Sequence, residues 1–524
     1  MKSLYKNKMA GMLLAVALSA SSCSEDALME LNVNRNAVTD MNMAYLFSLA
    51  TLNIGAEYEN TRGPMLYAAP MIQHTASLSD IFTGDKYTYS APYSGAYMET
   101  HYLSVVKLYT QVILETADDA TQANVNGAAM IMKAFDLHRM TDMYGDIPYT
   151  TAGKGLLGEE HWFPVYENQR DVYYAMIEDL RSARDKMSDA ALPLGVQDFI
   201  YNGDVSKWKK FANAMLMRIA LRMSNVDPAR AQEVFTEAYA SGAFTSNADN
   251  AYIHYLEGPQ AVNRNGLNDG YWNTRRYSRD CKISRTFMNW MVSNNDPRLM
   301  IVSGGIGDPV APASWNLAPA AQKGMPNGYT SATLRPTLSP QELPAFNAGG
   351  NTMYSMLNLR YLDWSDPYLL QTYSEVALME AEAVLKGWIT GDANAFFTQG
   401  VTAAVNHWTA FDPSFAVPAA ATTAYIRGRG FEAASNENKL RLIGEEYWAA
   451  TYLNDLESWA NWRRTGYPTL TPTQDPNRYE ANEIPRRLKY WENEIASNPL
   501  NYEAAIQRMG GDHFMTRMWW DGGN

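Results

Sequence analysis

Apolar positions recur along much of this chain at helical rather than strand spacing. Val105, Leu108, Tyr109, Val112 and Ile113 fall on one face of a 3.6-residue period, with Ser104 read as the N-cap. A second helix is predicted over 126–143, ending at Gly145-Asp146-Ile147-Pro148. There a glycine suits a left-handed cap and proline forbids continuation. The clearest stripe is Val172, Tyr173, Met176, Ile177, Leu180, Ala183 and Met187. Ser206 is expected to cap a helix carrying Trp208, Phe211, Met215, Ile219 and Arg222, and Asp227-Pro228 to open another that Gly242 closes. The same grammar returns late in the chain. Asp366-Pro367 is read as the start of a helix through Leu369, Tyr373, Val376 and Val384 to Gly387. Asp392 opens the next, and Ser435 caps a long one reaching Trp462.

These segments predict an all-α protein, a scaffold of paired helices over 104–242 and 366–465. No tight repeat of 34 residues is present, so any tetratricopeptide character is degenerate. Between the helical blocks the texture changes. Residues 60–100 and 243–365 are rich in Asn, Gly, Pro, Ser and aromatics, with one clear helix near Ser284 to Val292. Long irregular segments that keep their aromatics are expected to be ordered and functional.

The first residues change the picture. Lys2, Lys6 and Lys8 precede an apolar run from Met9 to Ala20, too short to span a bilayer and read as a signal peptide over 1–22. It ends in Leu18-Ser19-Ala20-Ser21-Ser22-Cys23, which resembles a bacterial lipobox with Cys23 as the lipidated residue of the mature chain. Ser24-Glu25-Asp26 resembles the acidic surface-export signal of Bacteroidetes lipoproteins. The mature protein is then one domain over 23–524, tethered to a membrane by lipid. Only one other cysteine, Cys281, exists, and it is expected to be a buried thiol. A net charge of −13 argues against nucleic acid as a partner, which needs a basic surface.

Several passages carry a family resemblance. Ala134-Phe135-Asp136-Leu137-His138-Arg139-Met140-Thr141-Asp142-Met143-Tyr144-Gly145-Asp146-Ile147-Pro148-Tyr149 resembles the helix-to-turn signature of the SusD/RagB-like outer-membrane lipoproteins. Tyr201-Asn202-Gly203-Asp204, the block around Trp208, and Arg218-Ile219-Ala220-Leu221-Arg222 are similar to that family's next block. Asn295-Asp296-Pro297-Arg298-Leu299, Ala381-Glu382-Ala383, Glu457 through Pro468, and Met518-Trp519-Trp520-Asp521 follow in order, closest to the second SusD-like subfamily. The resemblance implies a mostly helical fold with four degenerate tetratricopeptide units and a loop-built ligand face. It implies a surface-exposed outer-membrane protein that sits as a lid on a SusC-like, TonB-dependent barrel and binds oligosaccharides, or peptides as RagB-like relatives do, without cleaving them.

The residues themselves carry no catalytic signature. No two of the seven histidines lie three or four residues apart, and there is no nucleophile elbow or phosphate-binding glycine loop. No Asp-x-Asp-x-Asp-Gly calcium loop appears, and neither a metal nor a cofactor is expected. Fifty-six acidic residues leave open a carboxylate pair, hence the alternative of a lipid-anchored helical glycoside hydrolase. The candidate ligand contacts are aromatic: a Trp or Tyr ring stacks on the apolar face of a pyranose while Asn, Asp and Arg bond its hydroxyls. Tyr271, Trp272 and Asn273 with Arg275 and Arg276 place both kinds of group in one loop, and Trp364 and Trp315 lie in others. Tyr87 and Tyr89 alternate in a segment read as extended, on one side of it. Trp208, Trp448 and Trp459 are assigned to core, Arg218 and Arg222 to ion pairs with a neighbouring helix, and Arg463 and Arg464 to a helix C-terminus.

Overall fold

The helices that the periodicity predicts form the frame of the molecule. The computed structural model describes residues 41–273, 279–473 and 483–523, and residues 43–524 fall in one unit. Cys23 and the rest of the signal segment, and Arg275 and Arg276, lie outside the described residues. In chain order the longer helices are α1 (Met43–Asn53), α2 (Lys107–Glu115), α3 (Ala123–Tyr144), α4 (Gln169–Lys186), α5 (Val205–Arg222), α6 (Pro228–Ser241), α7 (Arg285–Ser293), α8 (Tyr373–Leu385), α9 (Ala393–Asn406), α10 (Ala419–Arg429), α11 (Asn436–Ala450), α12 (Asp455–Thr465) and α13 (Pro499–Met509). Consecutive helices pack as hairpins, α3 on α4, α4 on α5, α5 on α6 and later α8 on α9. The all-α, tetratricopeptide-like reading holds. Among the described residues no helix is long and apolar enough to cross a membrane.

Several boundaries differ from the sequence reading. Ser104 is no N-cap: it lies in a π-helical stretch, Tyr102–Val106, that joins a short helix (Ala96–His101) to α2, and its hydroxyl donates to the Thr100 carbonyl. Asp204, not Ser206, caps α5 by accepting from the Lys207 amide. The residues after Asp366-Pro367 form a strand, and the helix begins later, where Thr372 and Glu375 close a capping box. The long helix expected after Ser435 is two, α11 and α12, broken where Leu453 takes a left-handed φ of 71°. Asp227 and Asp392 do cap α6 and α9, and Gly242 ends α6 at φ 89°.

Four helices, α3, α5, α8 and α12, are largely buried, and their charged residues therefore meet in the interior. Arg218 and Arg222 of α5 sit one turn apart; Arg218 pairs with Glu375 of α8 at 2.6 Å, and Arg222 with Glu457 of α12 at 2.6 Å and Asp142 of α3 at 3.3 Å. Tyr447 donates its hydroxyl to Glu457 at 2.8 Å. Arg463 does more than complement a helix end: buried, it donates to the carbonyls of Asp142 and Arg486, while Arg464 grips Glu382 with both terminal nitrogens. Trp208, Trp448 and Trp459 are fully buried, as read. Cys281 is a buried free thiol whose pKa burial pushes up, which keeps it protonated and inert.

Among the described residues six short strands pair antiparallel in three couples: β1 (Thr75–Ser77) with β3 (Cys281–Ile283), β2 (Ala251–Ile253) with β6 (Tyr368–Gln371), and β4 (Ser303–Ile306) with β5 (Ser355–Leu357). The β1–β3 register sets Ser77 opposite Cys281. The chain leaving β1 and the chain entering β3 therefore emerge at one end of the ladder. A small second core of Ala76, Met325, Leu334, Phe346 and Tyr354, with Leu78 and Tyr329 against it, fastens the 325–354 segment beside that end.

Candidate functional site

The loop that follows β1 is fixed by buried contacts along its length. The short helix Thr83–Lys86 lies so close to Tyr67 that a Cβ on Gly84 would stand 2.3 Å from the Tyr67 carbonyl oxygen, which only glycine allows. Asp85 is buried and accepts from the Asn327 side chain at 2.8 Å and the Gly328 amide at 3.1 Å. Burial pushes its carboxyl above the usual range, against the pull of Lys86 and those donors. Lys86, also buried, donates to the Ser77 carbonyl at 2.8 Å. The Tyr67 hydroxyl donates to the Thr88 carbonyl and accepts from the Ser90 amide. Every one of these bonds ties the loop to scaffold or to the 325–354 segment.

What this frame holds open is a cleft of about 480 Å³, lined by Asp80, Ile81, Thr83, Lys86, Thr88, Tyr89, Ser90, Tyr93 and Thr330. Asp80 is exposed; Thr88, Tyr89, Ser90, Tyr93 and Thr330 are half-buried. Tyr89 donates its hydroxyl to Glu492 at 2.7 Å, and the Lys489 ammonium stands 4.3 Å from its ring centre. Burial, followed by the Glu492 carboxylate, raises the Tyr89 pKa, so the hydroxyl stays protonated. The Arg62 guanidinium lies 5.8 Å from the Tyr93 ring centre. Two anchored rings with a carboxylate, hydroxyls and an alcohol-rich wall suit a polar ligand that also has an apolar face.

The structure separates the residues singled out from sequence. Tyr89 lies in the cleft. Tyr87 does not: it is a left-handed cap at φ 56°, buried, and its hydroxyl oxygen accepts from the Thr473 amide. The expectation that Tyr87 and Tyr89 point the same way from an extended segment is thereby corrected. Tyr271 is fully buried against the core and leaves no ring face for a ligand. Trp272 is half-buried and meets Trp315 edge to face, centroids 6.5 Å apart at 81°. Asn273 closes the π-helical turn Asp269–Asn273, and Arg275 lies outside the described residues. Trp364 is occupied by its own protein: the Arg264 guanidinium lies 3.8 Å from its ring centre, and its indole donates to Asp269 at 3.0 Å. Sequence reading missed Asp80 and Thr330. Asp80 adjoins the tyrosine-rich stretch; nothing in the sequence joins Thr330 to it across more than two hundred residues.

One carboxylate cluster needs separate account. His138, Asp142 and Glu457 converge, buried, with ligand-type atoms within 4.8 Å of one another. Arg222 already pairs with both carboxylates and Arg218 lies 3.5 Å from Glu457, so guanidinium groups supply the positive charge there. Burial and Arg222 hold the His138 pKa well below its usual value, leaving the imidazole neutral. The cluster is scaffold.

Comparison with known proteins agrees with the fold. The family model described as starch-binding, associating with the outer membrane, in its second SusD-like form, matches residues 35–491. A solved chitin-binding protein is 30% identical, with a TM-score of 0.79 over 92% of this chain and 100% of its own. A Bacteroidetes SusD-like structure is 24% identical with a TM-score of 0.80 over the same shares. A chitin-binding SusD homologue from Flavobacterium johnsoniae is 22% identical with a TM-score of 0.74, covering 91% of this chain and 98% of its own. No curated protein matches. The chain belongs to the SusD-like family of glycan-binding proteins associated with the outer membrane, a family of binding rather than cleaving proteins.

Proposed function

We propose that this protein captures an oligosaccharide in the cleft lined by Asp80, Tyr89, Tyr93 and Thr330, and passes it to a SusC-like, TonB-dependent barrel for uptake. The observation that carries the reading is the cleft itself: the Tyr89 ring, held by Glu492, and the Tyr93 ring line it together with the exposed Asp80 carboxylate, on a loop that buried bonds hold still. Preorganised aromatic and polar groups bind with little ordering cost. The 30% identical relative is a chitin-binding protein, so N-acetylglucosamine oligosaccharides are the first ligands to test. We also assign a ligand contact to Trp272, which is half-buried and meets Trp315 edge to face.

Anchoring is assigned to a lipidated Cys23. The Cys23→Ser variant should move from the outer-membrane fraction to the soluble one, and the wild-type protein should co-purify in detergent with a TonB-dependent barrel. Calorimetry of the soluble form lacking residues 1–23 should show saturable binding of oligosaccharides, weakened by Tyr89→Ala. Binding of peptides alone would replace this reading with the RagB-like one.

A further inference from the structure

A second aromatic pocket draws on the same C-terminal segment that holds Tyr89. Trp491 and Glu494 line it together with Glu99, Tyr102, His161 and Trp162, in a concavity of about 360 Å³. Trp162 is 59% exposed, unusual for the largest side chain. It is nevertheless fixed, because its indole donates to the Gly155 carbonyl at 3.0 Å. The loop beneath it is tied down in turn. Glu167 accepts from the Tyr149 and Thr150 amides, Thr110 donates to the Ala152 carbonyl, and a Cβ on Gly153 would stand 2.7 Å from the Thr110 hydroxyl oxygen. Tyr102, which lines the pocket, opens the π-helical stretch before α2.

The polar groups decide what such a pocket takes. Glu494 accepts the Tyr166 hydroxyl through one oxygen at 2.7 Å, and among the described residues nothing donates to its other oxygen or to the Glu99 carboxylate. Covering these carboxylates with an apolar protein face would strip their water without replacing its hydrogen bonds. Sugar hydroxyls would replace them, while an indole face takes the ring's C–H side. Glu492, next to Trp491, is the residue that holds Tyr89 in the first cleft. Tyr93 of that cleft and Glu99 of this pocket are six residues apart, on two short helices, Ala91–Ser94 and Ala96–His101, that meet at Gly95.

We propose that the Trp162–Trp491 pocket is an additional carbohydrate subsite, with a pyranose on the open face of Trp162 and its hydroxyls on Glu99 and Glu494, which extends the first cleft to longer chains. This rests on the glycan-binding reading of that cleft. The test is calorimetry of the soluble form with N-acetylglucosamine oligosaccharides of increasing length, comparing wild type, Trp162→Ala, Trp162→Phe and Glu99→Gln. Because Trp162 and Glu99 are not core, circular dichroism of all variants should match wild type. Trp162→Ala should weaken the longest oligosaccharide about tenfold and leave the shortest that binds unchanged, with Trp162→Phe in between. Wild-type affinity at every length in Trp162→Ala and Glu99→Gln overturns the subsite and leaves the first cleft standing. Unchanged sugar affinity with loss of barrel co-purification overturns it in favour of a protein contact. A wild-type protein that binds none of these sugars overturns both readings together.

Discussion

Tyr89 donates its hydroxyl to Glu492 across 403 residues of sequence, joining the loop after β1 to the C-terminal segment at the wall of the cleft. The bond fixes the ring's direction, while the ring itself gives contact area. Tyr89→Phe should keep the ring and bind oligosaccharide within about threefold of wild type, whereas Tyr89→Ala should lose about tenfold, as calorimetry reads it.

Gly84 tests whether the cleft depends on its frame. Gly84→Ala drives a methyl into the Tyr67 backbone, and overpacking of this kind costs about 1–3 kcal/mol. Denaturant unfolding should show that loss, and oligosaccharide affinity should fall although Gly84 offers no side chain to a ligand.

The buried ion pairs set a larger scale. Glu457→Ala leaves Arg222 with Asp142 alone at 3.3 Å and Arg218 with Glu375 alone, an excess of buried positive charge, and breakage of a buried pair costs about 3–5 kcal/mol. Urea unfolding should place this variant below any substitution in the cleft.

Glu380 gives a pH dependence whose sign is fixed. It is buried on α8, and burial alone raises its pKa to about 8. Between about pH 4.5 and 8 the unfolded chain has lost this proton and the folded one keeps it, so stability falls as pH rises through that window. Glu380→Gln should therefore stabilise the protein on the order of a few kcal/mol at pH 8 and have little effect below pH 4.5, measured by thermal unfolding at both.

The sequence disclosed the helices that face water on one side. α4 and α6 carry apolar stripes between charged positions, and the cap of α6, Asp227, is in view. It misjudged the elements set by distant partners. Tyr368–Gln371 is a strand because it pairs with Ala251–Ile253, and the break between α11 and α12 is held by Asn454, which accepts from Arg139 at 2.8 Å and donates to the Leu370 carbonyl. Local propensity does not encode either. The site was half legible for the same reason. An aromatic-rich loop announces itself, but whether a tyrosine in it serves the core, like Tyr87, or the cleft, like Tyr89, turns on a single left-handed residue.

The central claim is that this chain binds oligosaccharide in the Tyr89 cleft and leaves it intact. The direct measurement is calorimetry of wild type and Tyr89→Ala with an N-acetylglucosamine oligosaccharide, with chromatography of the same samples after prolonged incubation. Saturable wild-type binding, about tenfold weaker in Tyr89→Ala, with the sugar recovered at its original length, is the result predicted. Shorter sugars in the wild-type sample, or equal affinity in the two proteins, would contradict it.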